Sequence, residues 1–129
     1  MTNSKQFLQI GGAVLVLVAI LGYVGIIGPT PEQSLFGEAW YFDNAENVAH
    51  LVLGVVALAA AFALKNAEQQ KWLVLAVGAL GILVGLYGFM SSSLLGANLE
   101  SPADNLLHLV IGAWAFWSAM KTKTVMGAM

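Results

Sequence analysis

The only two histidines of this chain sit in nearly the same sentence of sequence. The first copy reads Glu46-Asn47-Val48-Ala49-His50-Leu51-Val52-Leu53-Gly54, and the second Asp104-Asn105-Leu106-Leu107-His108-Leu109-Val110-Ile111-Gly112. Each histidine follows an acid by four residues, so on a helix the pair shares a face, about 5–6 Å apart between Cβ atoms. Carboxylates and imidazoles together are metal ligands, and Glu46, His50, Asp104 and His108 would make a two-carboxylate, two-imidazole set. His50 and His108 alone could be axial ligands to a tetrapyrrole, or a pair that titrates near neutrality. The plainer reading is a neutral imidazole hydrogen-bonded to a neighbour such as Asn47 or Asn105, which then serve as supporting partners.

The acids also have a plain reading. Asp43-x-x-Glu46 and Ser101-Pro102-x-Asp104 look like helix starts, with Asp43 and Ser101 as N-caps and Pro102 at the first helical position. Glu46 and Asp104 then fall at the third, where they complement the helix dipole. Below each histidine runs a stripe of small residues: His50, Gly54, Ala57, Ala61 and His108, Gly112, Ala115, Ala119. Such stripes let helices pack closely, or leave room for a flat ligand.

The elements that carry these residues are long and apolar. Of 129 residues 59% are hydrophobic and 9% charged, too little charge to cover a soluble domain of this length. Four apolar runs are expected to cross a membrane: Phe7 to Gly28, Asn44 to Leu64, Trp72 to Met90 and Pro102 to Met120. The first is longer than a signal-peptide core and no small-x-small cleavage pattern follows it. Gly28-Pro29-Thr30-Pro31 ends it. Trp40-Tyr41-Phe42 is expected at the headgroup level. The fold class expected is all-α, a four-transmembrane-helix antiparallel bundle in one domain spanning residues 1–129.

Lys5, Lys65, Lys71, Lys121 and Lys123 fall on one side of that arrangement and six of the seven acids on the other. The positive-inside rule then places both termini in the cytoplasm, in a cytoplasmic (inner) membrane. The halves also match outside the histidine motif. Gly25-Ile26-Ile27-Gly28 matches Gly85-Leu86-Tyr87-Gly88, and Ser34-Leu35-Phe36-Gly37 matches Ser93-Leu94-Leu95-Gly96. The expectation is two tandem helical hairpins, a parallel internal repeat of residues 7–64 and 72–120, with both histidines at one depth near the outer face.

Several classes drop out. Without cysteine there is no disulfide, thiolate metal site or thiol chemistry. A net charge of −2 gives no footprint for nucleic acid. No Ser/His/Asp arrangement, nucleotide loop or H-E-x-x-H signature is present, which argues against an enzyme. The leading expectation is a small membrane protein binding a metal ion or tetrapyrrole between the second and fourth helices. The competing class is a cofactor-free structural or accessory subunit. A transporter stands third, because the chain has one polar site and no further charge along a path. A homo-oligomer or a larger membrane complex is the setting left open.

The repeated Asn-x-x-His-Leu-x-x-Gly, at Asn47-His50-Leu51-Gly54 and Asn105-His108-Leu109-Gly112, resembles a broad group of small prokaryotic four-helix membrane proteins of unknown function. The resemblance implies the same four-helix fold and says nothing of an activity.

Overall fold

A computed structural model describes residues 2–123; the chain ends, Met1 and 124–129, lie outside the described residues, and with them the expected placement of both termini. The described chain is all-helical apart from one very short hairpin. It contains α1 (Ser4–Tyr23), α2 (Asn44–Ala63), α3 (Ala67–Gly88) and α4 (Ala103–Met120). Two single-turn 3-10 segments, Pro31–Gln33 and Gly37–Ala39, occupy the first loop. Strands β1 (Ser93–Leu94) and β2 (Ala97–Asn98) occupy the second.

Side chains that close the first turn set the helix starts. Asn3 and Gln6 form a reciprocal capping box, so α1 begins before the apolar run. Asp43 caps α2 by accepting from the Glu46 amide at 2.9 Å, as its spacing predicts. Asn66 caps α3 on the Glu68 amide, adding a polar first turn before Trp72. At α4 the expected cap is not formed. Pro102 itself stands at the N-cap position and Ala103 opens the helix. Ser101 Oγ is engaged instead by Asn105 Nδ2, at 3.0 Å. Gly25, at φ +86°, follows the end of α1, a left-handed conformation that costs glycine least.

α1 packs along α2 and α3 along α4, while contacts between these two pairs are sparser. Glycines set the close approaches. A Cβ on Gly54 would lie 2.9 Å from the Gly12 carbonyl oxygen, and one on Gly112 would lie 2.9 Å from that of Gly78. The small residues at 54 and 112 therefore serve contact within a pair. At the far end, Phe7, Leu8, Ala61, Val74, Ala115 and Ala119 form the apolar core. The Trp114 ring meets Phe7 edge-on at 4.5 Å, and its Nε1 donates to Thr2 Oγ1 at 2.8 Å. Ser4 and Thr122 join the start of α1 to the end of α4 by a hydroxyl–hydroxyl bond of 2.5 Å.

Apart from Phe7 of α1 and Ala115 and Ser118 of α4, the buried positions of the two pairs coincide. In α2 and α4 they are Glu46 and Asp104, Asn47 and Asn105, Gly54 and Gly112, Ala61 and Ala119, each 58 residues apart. In α1 and α3 they are Ser4 and Gln70, Leu8 and Val74, Gly12 and Gly78, Ala19 and Gly85, Gly22 and Gly88, each 66 apart. Gly25 and Gly28, paired by sequence with Gly85 and Gly88, lie beyond the end of α1, whereas Gly85 and Gly88 are inside α3. The buried positions that the first helices of the two pairs share thus run through Gly12 and Gly22 rather than Gly25 and Gly28.

α1, α2 and α3 are each long and apolar enough to cross a membrane by length and composition. α4, with Asp104, Asn105 and His108 in its first turns, is not among them. Large apolar side chains stand exposed on all four helices, among them Leu17, Val52, Leu83 and Val110. Soluble monomers rarely show so much continuous apolar surface, and the pattern is compatible with a membrane protein.

Candidate functional site

The two helix starts that carry the motif open onto one cavity of about 310 Å³, lined by Glu46, His50, Asp104 and His108 together with aliphatic side chains. The motif divides between two faces. Glu46, His50 and Leu53 of α2 line the cleft between the helix pairs, as do Asp104, His108 and Ile111 of α4. Asn47 and Gly54 are buried against α1, and Asn105 and Gly112 against α3. The histidines and the glycines beneath them therefore do not form one stripe. The four-residue step turns only about 40°, and the placement of α1 and α3 puts the glycine against a helix and leaves the histidine on the cleft.

The asparagines act within their own pairs. Asn47 Nδ2 donates to the Phe42 carbonyl at 3.3 Å, and its Oδ1 is seated where a Cβ on Gly22 would stand. Asn105 repeats this over Gly88. Both oxygens lack a conventional donor and contact the glycine backbone, a weak C–H···O geometry open only to glycine. This accounts for Asn47 and Asn105 as locks between helices.

The carboxylates converge. Glu46, Glu100 and Asp104 are all buried and offer oxygens that lie within 4.8 Å of one another. Asp104 is held on both oxygens: Oδ1 accepts from Trp40 Nε1 at 2.9 Å and Oδ2 from the Glu100 amide at 3.0 Å. Asn98 Nδ2 donates to Glu100 Oε1 at 2.7 Å, leaving Oε2 without a partner. Neither oxygen of Glu46 has one. Glu46 does not turn back on its own helix start, so the reciprocal capping role expected from Asp43-x-x-Glu46 is half formed. Burial, with the Asp104 carboxylate beside it, pushes the Glu100 carboxyl up to about 8 from its ordinary value of 4.5.

The imidazoles differ. His108 Nδ1 lies 2.7 Å from the Asp104 carbonyl oxygen. A carbonyl only accepts, so Nδ1 donates, and in the neutral imidazole Nε2 then keeps the lone pair that a metal would use. His50 packs edge-on against Phe42 at 5.0 Å, and its buried Nδ1 has no partner.

Both loops fasten the site. Asp43 caps α2 with Oδ1 and accepts the Asn98 amide of β2 with Oδ2 at 2.7 Å, tying the second loop to the first motif. Trp40 from the first loop reaches Asp104 at the start of α4, and its ring meets Phe42 at 5.0 Å. Two of the three aromatics expected as a headgroup anchor thus form part of the site's wall. Sequence reasoning missed Glu100, whose signal was an acid four residues before Asp104, and Trp40, for which spacing held no signal.

The chain matches no family model, no curated protein and no solved structure.

Proposed function

We propose that this is a four-helix protein of the cytoplasmic membrane, with α4 as the fourth span, that binds a first-row divalent cation at the junction of its two helix pairs. The observation that carries the reading is the buried set Glu46, Glu100 and Asp104, with oxygens within 4.8 Å of one another, and with neither Glu46 oxygen partnered. Carboxylates this close and this dry are neutralised by protons when the site is empty and can exchange those protons for a cation. Glu46, Glu100 and Asp104 supply hard oxygen donors, and His50 and His108, which line the same cavity outside that close set, would add imidazole nitrogen. That donor mixture suits manganese or iron, and zinc less well, and it is a set that helical bundles present between facing helices. It favours a metal over a tetrapyrrole, which would use the imidazoles and leave the converging carboxylates without a role.

The two matching series of buried positions support a duplicated two-helix unit, antiparallel within each pair, with Glu46-His50 and Asp104-His108 facing each other across its axis. The repeated motif supports membership in the small four-helix group it resembles. A binding role rather than catalysis fits a site in which the ligands are the only chemistry-bearing residues.

The test is metal analysis and a visible spectrum of protein extracted in detergent from its native membrane. Stoichiometric manganese or iron without a Soret band supports the reading. A Soret band, or protein free of both metal and colour, overturns it.

A further inference from the structure

We infer that the cleft between the helix pairs holds the chain of a single-tailed amphiphile drawn from the bilayer, its oxygen-bearing head completing the coordination of the bound cation. This rests on the cation reading. The cavity beneath the carboxylates is bordered by Leu53 and Leu80, and the same two residues border a second cavity of about 180 Å³. The two cavities adjoin at those leucines, whose side chains stand between them. The second part is lined by apolar groups from all four helices, including Gly12, Ala57, Val77 and Trp114.

The cleft is polar at one end only. Along α2 it runs from Glu46 through His50 and Leu53 to Ala57, eleven residues, or about 16 Å at the rise of a helix. Cavities of about 310 and 180 Å³ are too small for a helix, which with its side chains is about 10–12 Å across, and suit an extended hydrocarbon chain. The second loop lines the upper cavity with Leu94, Leu95 and Leu99, so the lining favours a solute from the bilayer over one from water. Unfilled, the lining atoms forgo dispersion contacts that a chain restores. At the polar end, the three carboxylates leave positions open on an ion that takes six, and the two imidazoles do not fill them all. Glu46, Asp104 and His108 all line the cavity, so the remaining positions face the amphiphile's head.

Trp114, at the far end, makes this measurable. The probe is 11-bromoundecanoate, whose bromine quenches an indole it touches while its carboxylate occupies the metal. Titrated into Mn²⁺-loaded protein in detergent, against a baseline recorded after loading, it is expected to quench saturably. Unbrominated undecanoate should compete. The quench should disappear in Trp114→Phe, and its affinity should fall at least tenfold without Mn²⁺. Leu80→Phe, where the two cavities adjoin, should weaken the quench while leaving Mn²⁺ binding intact. Quenching that is absent, or equal with and without Mn²⁺, overturns the inference. Mn²⁺ that binds without a Trp114 quench refutes the amphiphile alone, and Mn²⁺ that fails to bind refutes the cation reading beneath it.

Discussion

Glu46 and Asp104 stand at matching points of two helices, each four residues before a histidine, and they bring carboxylate oxygens within 4.8 Å of one another across the cleft. Neither is there for its own helix alone. Asp104 is gripped by Trp40 and by the Glu100 amide, while Glu46 is gripped by nothing. Held and unheld acids face each other, and Glu100 closes the set.

Trp40 orients Asp104 through a single hydrogen bond from the opposite loop. Groups that orient a ligand in this way typically change metal affinity by about 10–100-fold when removed. Trp40→Phe keeps the ring against Phe42 and deletes the donor. Mn²⁺ affinity measured by calorimetry should fall by about that factor with little change in thermal stability. Unchanged affinity would mean that Asp104 is not a ligand.

Gly22 and Gly88 should be intolerant of any side chain, because Asn47 and Asn105 fill the space. Gly22→Ala and Gly88→Ala are each expected to destabilise by about 1–3 kcal/mol, the usual range for overpacking. Gly11 is the control: a Cβ there meets nothing closer than 3.9 Å, and Gly11→Ala should be neutral or stabilising by about 0.5–1 kcal/mol. Thermal or denaturant unfolding in detergent checks the contrast, and equal effects at all three positions would refute the asparagine locks.

That contrast also shows what the sequence could and could not reveal. The four helices were legible because their apolar runs are long and their breaks carry proline or polar residues. Asp43 was legible as a cap because an N-cap is a local device. The partition of the motif was not. His50 and Gly54 share a face on a helical wheel, and only the positions of α1 and α3 decide that one meets the cleft and the other a helix. Glu100 was hidden for a similar reason. It sits before α4 in an irregular loop, and the β1–β2 turn, with Leu95 at φ +52° and Gly96 at φ +86°, folds that loop back over the site. Two-residue strands leave no alternation to read.

Metal-free protein should lose stability as pH rises. Folding raises the Glu100 carboxyl from 4.5 to about 8, so the folded state binds a proton that the unfolded chain releases. The contribution is complete below about pH 4.5 and is lost as pH climbs through about 8. Unfolding temperatures in chelator from pH 5 to 9 should decline in the wild type and decline less in Glu100→Gln. A wild-type profile that rises relative to Glu100→Gln would contradict the assignment.

The absence of cysteine permits a clean topology test. Single cysteines at Glu38 in the first loop and Ser92 in the second should react with a membrane-impermeant maleimide in intact cells. One at Asn66, between α2 and α3, should react only after lysis. Labelling of Asn66→Cys in intact cells would reverse the orientation.

The most direct test of the cation site is Mn²⁺ stoichiometry in detergent-purified protein stripped with chelator and reloaded, read by electron paramagnetic resonance in the wild type and in Glu46→Gln. The account predicts one tightly held ion per chain in the wild type, with its spectrum changed from that of free Mn²⁺, and loss of that ion in a Glu46→Gln protein that still folds. Wild-type protein that leaves Mn²⁺ free, or a Glu46→Gln variant that holds it equally well, would contradict the account.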